Sequence, residues 1–213
     1  MSAQKIGIMA DSHGQPEAIE TAIELLKSHG CDTLYHLGDI CDTRYPETAD
    51  RCVQLLKVYR VRAVKGNNDH VVVVNHQHRE DSPVSPETLA YLTGLPQRLE
   101  DDHVWFTHSL PFVEELGAAG MMWSMGFSEA TRFFGDYPSM SLFRGHSHTP
   151  EIMYRKSGKV LSEPLLPGRE TELSGKLPFV ITCGALMNSV CMMWQPEAQV
   201  IQSLSLPVPA EVD

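Results

Sequence analysis

The sequence has little positive charge. Its 17 lysine and arginine residues are outnumbered by 27 aspartate and glutamate residues, and the formal net charge is -10. The basic residues form no cluster along the chain. Because binding to duplex nucleic acid or to an anionic membrane depends on concentrated positive charge, the sequence predicts no extended nucleic-acid interface and no membrane interface.

Long apolar runs are also missing. No stretch approaches the roughly 18 apolar residues that a membrane-spanning helix needs, and the first residues, MSAQKIGIMADSHG, contain no long apolar segment typical of a secretory signal. The five cysteines are odd in number and include no Cys-x-x-Cys pair, which favours reduced, buried thiols over a disulfide framework. These absences predict a soluble, cytoplasmic protein.

The chain contains no internal repeat and no segment with the composition of an interdomain linker. We therefore predict a single domain over residues 1–206, followed by a frayed tail at 207–213. A chain of this length can also form two small domains. Within the single domain, residues 110–138 are predicted to form a cap or insertion, because methionine and aromatic residues are dense there.

The first third of the chain alternates between buried strands and amphipathic helices. Apolar runs at 5–10 and 33–37 predict strands, and a third strand is predicted within 58–64. Apolar residues at helical spacing predict helices between them, over 16–30 and 49–56. This β-α-β-α-β order implies a parallel sheet with right-handed crossovers.

The rest of the chain is richer in strands. Apolar runs predict five of them, at 103–107, 141–144, 179–183, 189–194 and 200–206. A polar segment with two prolines, at 75–86, predicts a surface loop, and Ser85 is the expected N-cap of a short helix that runs to Leu92. A further helix is predicted at 128–134.

Five of the predicted strands end on residues of the kinds that bind metal ions. These residues are Asp11 with His13, Asp39, Asn67, His108, and His146 with His148. The carboxyl ends of parallel strands meet at one sheet edge, where open α/β sheets carry their chemistry. Carboxylate, imidazole and amide oxygen together suit Mn, Fe, Co, Ni or Zn. Seven donors are too many for one closed site and are sufficient for two divalent ions that share a bridging carboxylate.

In this order, the motifs resemble those of the calcineurin-like metallophosphoesterases, and in particular the small prokaryotic members of the phosphodiesterase type. The family pattern is D-x-H, G-D, G-N-x-(D/E), H and G-H-x-H. Here it stands as DSH at 11–13, GD at 38–39, GNND at 66–69, His108 within FTHS, and GHSH at 145–148. The resemblance implies an α/β fold, a four-layer α/β/β/α sandwich with two mixed β-sheets.

The resemblance also implies a role for each matching residue. One ion is expected at Asp11, His13 and His148, a second at Asn67, His108 and His146, with Asp39 bridging the two. Asp39, Asn67 and His108 are the candidate catalytic residues. The implied activity is that of a metal-dependent hydrolase in which a hydroxide bridging two divalent ions attacks a small phosphate ester, with a phosphodiester favoured.

Several positions depart from the family pattern or add to it. Asn68 stands where protein phosphatases of the superfamily carry a histidine, and an amide cannot protonate a leaving group. Arg44 lies one position later than the arginine that commonly follows the GD motif, so contact with phosphate and a place in a solvated loop are both open. Ser109 replaces a common glycine. Asp69, in the GNND motif, is expected to orient the metal-binding imidazoles.

Two other functions stay open. A phosphomonoesterase acting on small molecules or proteins would favour a cation beside the phosphate, and Arg44 is the local candidate. A non-catalytic metal-binding scaffold of the same fold is expected to have lost ligand histidines, whereas this chain retains them. Residues 110–126 have three interpretations: a cap that selects the substrate, a contact in a homo-oligomer, or a helical excursion packed on the core.

Overall fold

A computed structural model describes residues 4–207 of the chain. Of the predicted tail at 207–213, all but the first residue lies outside the described residues. Within residues 4–207, the strands form two mixed sheets of six strands each. No helix in this range combines the length and the hydropathy needed to cross a membrane.

The first sheet contains the strands that precede the first motifs. In spatial order it consists of β3 (Arg62–Ala63), β2 (Thr33–His36), β1 (Ile6–Met9), β11 (Val190–Gln195), β12 (Val200–Ser205) and β9 (Glu170–Glu172). β1, β2 and β3 are parallel, as the alternation of strands and helices predicts. β11, β12 and β9 complete the sheet through antiparallel pairs.

The second sheet contains the strands that precede the histidine motifs. In spatial order it consists of β4 (Arg98–Asp101), β5 (Val104–Thr107), β6 (Ser141–Arg144), β10 (Phe179–Thr182), β7 (Glu151–Lys156) and β8 (Lys159–Pro164). β5, β6 and β10 are parallel, so their carboxyl ends lie at one edge. β4, β7 and β8 pair antiparallel.

The two sheets pack face to face and helices cover both outer faces. The first sheet is covered by α1 (Pro16–Ser28), α2 (Ala49–Val58), α3 (Asn67–His76) and α4 (Pro86–Gly94), and the second by α5 (Val113–Leu116) and α6 (Phe127–Asp136). Aromatic rings fill the space between the sheets, where Tyr35 stacks on Phe106 with ring centroids 3.9 Å apart. The predicted α/β/β/α sandwich with two mixed sheets is therefore confirmed.

Several local predictions are also confirmed. Helix α1 buries the apolar residues that define its predicted face, and Gly30 follows its end with a φ of +86°. Ser85 caps α4, because its Oγ accepts a hydrogen bond from the amide of Thr88 at 3.2 Å. Strands β10, β11 and β12 lie within a residue of their predicted bounds.

Other predictions need correction. The third strand lies within 58–64, as predicted, and covers only Arg62–Ala63, because Val58 ends α2 and Arg60 turns the chain with a φ of 54°. The predicted loop at 75–86 begins only after His76, where α3 ends. The sequence patterns also miss β4, β7, β8 and β9, since these strands carry many polar residues on exposed faces.

Helix α3 is an element that the sequence patterns do not predict. Its valine run favours a strand by intrinsic propensity, because β-branched side chains lose rotamer freedom in a helix. The helix forms because the Asp69 carboxylate accepts the Gly66 amide at its N-terminus and because Val72 and Val73 pack into the core beneath the helices. Tertiary packing and capping therefore override the local preference.

Residues 110–138 lie against the outer face of the second sheet. Leu110, Phe112 and Met125 are buried in the core that α6 shares with this sheet. Met122 and Trp123, by contrast, are exposed by 54% and 62%. The segment is therefore partly a packed helical excursion and partly an exposed apolar surface, and its role as a cap or insertion stays a prediction.

Candidate metal centre

The structure brings all seven predicted ligand residues together at one edge of the two sheets. Each of the strands β1, β2, β3, β5 and β6 ends just before one of the motifs, and the five connecting loops meet there. The residues brought together are Asp11, His13, Asp39, Asn67, His108, His146 and His148, which are linked by side-chain contacts in one continuous network.

Three of these residues form a compact group on the side of the first sheet. The ligand atoms of Asp11, His13 and His148 all lie within 4.8 Å of one another. His148 Nε2 is 3.4 Å from Asp11 Oδ1 and 3.3 Å from His13 Nε2. This is the set that the family resemblance implies for one ion.

The second group surrounds His108, which is fully buried. Its Nε2 lies 3.0 Å from Asn67 Oδ1 and 3.1 Å from His146 Nδ1. Neighbouring ligands of an octahedral ion with bonds of about 2.1 Å are separated by roughly 3 Å, so these spacings fit a divalent ion. This is the set implied for the second ion.

The Asp39 carboxylate lies between the two groups. Its Oδ1 is 3.5 Å from His108 Nε2, and its Oδ2 is 3.7 Å from His13 Nε2. One oxygen therefore faces each group, which is the geometry required of a bridging ligand.

Two hydrogen bonds set the tautomers of the imidazoles. His108 Nδ1 lies 2.8 Å from the Leu37 carbonyl, which can only accept, so this nitrogen carries the proton and Nε2 presents its lone pair to the site. His13 Nδ1 lies 3.0 Å from Asp42 Oδ2, and the same reasoning leaves its Nε2 free to bind an ion. A carboxylate behind a ligating histidine is a common arrangement at metal sites.

Asp42 is the functional residue that the sequence patterns missed. The available signal was a carboxylate three residues after Asp39, in the loop that closes over the DSH motif. An acidic residue in a polar loop is too common for that spacing to identify it.

The ligand loops adopt a backbone conformation that is rare outside glycine. Asp11, Asp39, His146 and His148 have φ angles between 53° and 68°. Gly66 shows how tightly the loops meet, since a Cβ atom at this position would lie 2.1 Å from the Asp39 amide nitrogen. Strained backbone of this kind persists only where surrounding contacts hold it, and it is concentrated at functional sites.

Electrostatics favours the cation-binding forms of Asp11 and His146. Burial would raise the pKa of Asp11, but hydrogen bonds to His148 and to the His146 amide lower it overall. The hydrogen bond to Asp11 in turn raises the pKa of His148. Burial, with the charge of Arg144, lowers the pKa of His146 to about 4. At neutral pH, Asp11 is therefore ionised and His146 is neutral, which are the ligating forms.

Asp69 has a different role from the one predicted. Its Oδ1 accepts the Cys41 amide and its Oδ2 accepts the Gly66 amide, both at 2.9 Å, and its hydrogen bonds do not involve an imidazole. Burial and the charge of Asp39 raise its pKa to about 7. Asp69 therefore ties the loop after β2 to the turn after β3, and orients ligands only through the backbone.

A buried pair of side chains, Ser12 and His36, ties the DSH loop to its neighbour in a similar way. The Ser12 hydroxyl donates to the Ile40 carbonyl at 3.0 Å, so His36 Nε2, also 3.0 Å away, must donate to Ser12 Oγ. Burial lowers the pKa of His36 to about 3, which keeps the ring neutral. These two hydrogen bonds connect the loop of Asp11 and His13 to β2 and to the loop of Asp39.

Asn68 and Arg44 take different places relative to the site. The Asn68 amide donates to Asp39 Oδ1 at 2.8 Å, and its side chain donates to Asp39 Oδ2 at 2.7 Å, so Asn68 contacts the bridging carboxylate directly. Arg44 is exposed, and only its backbone amide contacts this region, at Asp42 Oδ1. The structure therefore brings Asn68, but not the Arg44 guanidinium, into the network.

Comparison with known proteins identifies the family. A model of the calcineurin-like phosphoesterase superfamily domain matches residues 5–183. The chain belongs to the calcineurin-like phosphoesterase superfamily. The proteins of this superfamily are phosphoesterases that use divalent metal ions, and the matched range contains all five motifs.

Solved structures agree with this assignment. A metallophosphoesterase from Sphaerobacter thermophilus aligns with a TM-score of 0.78 and 22% identity over 97% of this chain and 89% of that one. An archaeal phosphodiesterase aligns with a TM-score of 0.52 and 16% identity, over 95% and 100% of the two chains. A protein serine/threonine phosphatase from Saccharomyces cerevisiae aligns with a TM-score of 0.56 and 13% identity, over 99% of this chain and 82% of that one. At these identities the likeness supports the calcineurin-like fold and does not choose between diester and monoester substrates.

Proposed function

We propose that this protein is a two-metal phosphoesterase that hydrolyses small phosphodiesters. The observation that carries the proposal is the convergence of seven metal-binding side chains in one network, with a carboxylate between two ligand groups. The chemistry of the donor set, three oxygen-bearing and four imidazole side chains, fits Mn, Fe, Co, Ni or Zn. Two such ions supply a hydroxide nucleophile near neutral pH and neutralise phosphate charge.

Other contacts within the chain hold the ligand side chains in position. Asp39 holds the two ligand groups in a fixed relation, and Asn68 holds Asp39 in place from both of its oxygens. Asp42 and the Leu37 carbonyl orient His13 and His108. Because these contacts are present in the folded chain, the site needs little rearrangement to align a substrate for in-line displacement.

The charges around the site favour a diester. A phosphomonoester carries a second negative charge, which arginine side chains commonly neutralise. In the described part of the chain, the exposed Arg44 side chain forms no hydrogen bond or ion pair, and Arg144 is buried behind the GHSH loop. Asn68 cannot protonate a leaving group, which further disfavours the mechanism that the protein phosphatases of the superfamily use.

A paired assay tests the choice of substrate. We expect the metal-loaded protein to hydrolyse bis(p-nitrophenyl) phosphate with a higher kcat/KM than p-nitrophenyl phosphate. The two esters share a leaving group, so the ratio of their kcat/KM values reports the effects of the second ester substituent and of the phosphate charge. A ratio that favours the monoester would support the phosphomonoesterase alternative, and bound metal without turnover of either ester would favour the scaffold alternative.

We further propose that the exposed part of residues 110–126 contacts the second substituent of the substrate. The Ser109 hydroxyl donates to the Trp123 carbonyl, which places the backbone of Trp123 beside the residue that follows the ligand His108. Trp123 is exposed by 62%. An exposed aromatic ring beside a phosphate site can stack on a flat substituent.

The burial of residues within 110–126 decides which variant tests this proposal. Deleting 110–126 would remove the buried Leu110 and Phe112 from the core shared with α6, so a single exposed side chain is the better target. We expect Trp123→Ala to lower kcat/KM for bis(p-nitrophenyl) phosphate about tenfold relative to methyl p-nitrophenyl phosphate, because stacking is lost. Metal content should stay the same.

Leu177→Ala is the matched control, since Leu177 is 54% exposed and precedes β10 at the opposite end of the second sheet. Equal relative rates in wild type and Trp123→Ala would contradict the proposal. A change of oligomeric state in Trp123→Ala would instead favour a contact between copies of the chain.

A further inference from the structure

The loop between β6 and β7 holds two proposed ligands in an unfavourable backbone conformation. His146 and His148 have φ angles of 68° and 58°. The left-handed region is costly for a residue with a Cβ atom and persists only where other contacts hold the chain. The contacts that hold this loop therefore decide where both imidazoles lie.

Ser147, between the two histidines, is held by Arg144. Arg144 Nη2 donates to Ser147 Oγ at 2.7 Å, and Nη1 donates to Thr182 Oγ1 at 2.8 Å. Thr182 is the register partner of Arg144 on β10. The guanidinium thus connects the loop to the central strands of the second sheet.

Stability alone does not explain an arginine at this position. Arg144 is fully buried, and its Nε has no hydrogen-bond partner. Within residues 4–207 it forms no ion pair, and Glu151 and Asp11 act on its charge only from a distance. A buried guanidinium without a carboxylate partner carries a desolvation cost that an apolar residue would avoid.

We propose that Arg144 is a positioning residue that holds Ser147 and thereby fixes His146 and His148 for metal binding. The inference rests on the proposed metal centre. His146 belongs to the ligand group around His108, and His148 belongs to the group of Asp11 and His13. The hydrogen bond between Arg144 and Ser147 therefore positions one histidine of each ligand group.

The direct test removes the acceptor of this hydrogen bond and keeps both imidazoles. Mn²⁺ binding to chelator-treated Ser147→Ala is measured by isothermal titration calorimetry. We expect the dissociation constant for Mn²⁺ to rise at least about tenfold, the size of effect that partners of metal ligands usually have. Ser147→Thr keeps the hydroxyl and should bind Mn²⁺ within about threefold of wild type.

Thr182→Val is the matched control, because it removes the other hydrogen bond of Arg144 and leaves the loop contact intact. We expect its affinity for Mn²⁺ to remain within about twofold of wild type. Thr182→Val and Ser147→Ala each lose one hydrogen bond to Arg144, and both should unfold at similar temperatures without metal.

Wild-type affinity in Ser147→Ala would overturn the inference while leaving the metal centre intact. Equal weakening in Thr182→Val would overturn it too, since it would indicate a general loss of stability. A wild-type protein that binds no Mn²⁺ would contradict the metal centre itself, and the inference with it.

Discussion

Asp39→Asn is expected to reduce phosphodiester hydrolysis by at least about a thousandfold, a loss of roughly 4 kcal/mol of transition-state stabilisation. One Asp39 oxygen faces His108 and the other faces His13, so both proposed ion positions depend on this carboxylate. The amide keeps the size of the side chain but removes its charge and one acceptor oxygen. Steady-state kinetics on bis(p-nitrophenyl) phosphate, with saturating Mn²⁺, measures the effect.

The fold should survive this change. Asp39 is buried beside other acidic groups, so removing its charge relieves repulsion in the metal-free protein. We expect thermal unfolding of metal-free Asp39→Asn to stay close to that of wild type. Asp81→Asn, at an exposed residue paired with Arg79, is the matched control and should keep full activity. Persistent hydrolysis by correctly folded Asp39→Asn would contradict the bridging role.

His146→Ala is expected to remove one of the two ions and to reduce kcat at least about a hundredfold, or roughly 2.7 kcal/mol. Its Nδ1 lies 3.1 Å from His108 Nε2 and belongs to the second ligand group only. The backbone amide of His146 donates to Asp11, and this contact remains when the side chain is shortened. Elemental analysis should therefore find one ion where wild type binds two.

His78→Ala serves as the control, because His78 is an exposed histidine in the loop after α3. Its metal content and rate should equal those of wild type. A His146→Ala protein that keeps two ions and wild-type turnover would show that this imidazole is not a ligand. The loss of both ions would indicate that the two ligand groups bind metal only together.

The ligand candidates could be predicted from sequence because their signal is local. A buried strand followed at once by Asp, Asn or His recurs five times along the chain, and the fold only has to bring equivalent strand ends together. The spacing within the GHSH motif also places its two histidines in different groups, whereas Asp11 and His13 of the DSH motif share one. The distances of 3.0–3.7 Å among these side chains are the outcome of that pattern.

The residues that support the ligands could not be predicted in the same way. Asp42 and Ser12 act through partners 29 and 24 residues distant in sequence, and Arg144 joins the nearby Ser147 to Thr182, 38 residues distant. Nothing in their own sequence neighbourhood distinguishes them from an ordinary loop acid, hydroxyl or strand residue. Asp69 shows the same limit, since its motif is recognisable but its backbone partners depend on how two loops meet.

Prediction of secondary structure from sequence is incomplete where packing opposes the local preference of the chain. Helix α3 is not predicted, because its valine run favours a strand by intrinsic propensity and the cap at Gly66 and the core beneath Val72 make it a helix. Strands β7 and β8 form a hairpin with polar residues on its exposed side, so the apolar signal of a buried strand is weak. In each case the deciding interaction is tertiary.

Hydrolysis is expected to depend on divalent ions held by this network. The most direct measurement is turnover of bis(p-nitrophenyl) phosphate by chelator-treated protein, before and after addition of Mn²⁺, Ni²⁺, Zn²⁺ or Mg²⁺, with elemental analysis of each sample. We expect negligible turnover without metal and recovery when two ions per chain are bound. Undiminished turnover by metal-free protein would contradict it.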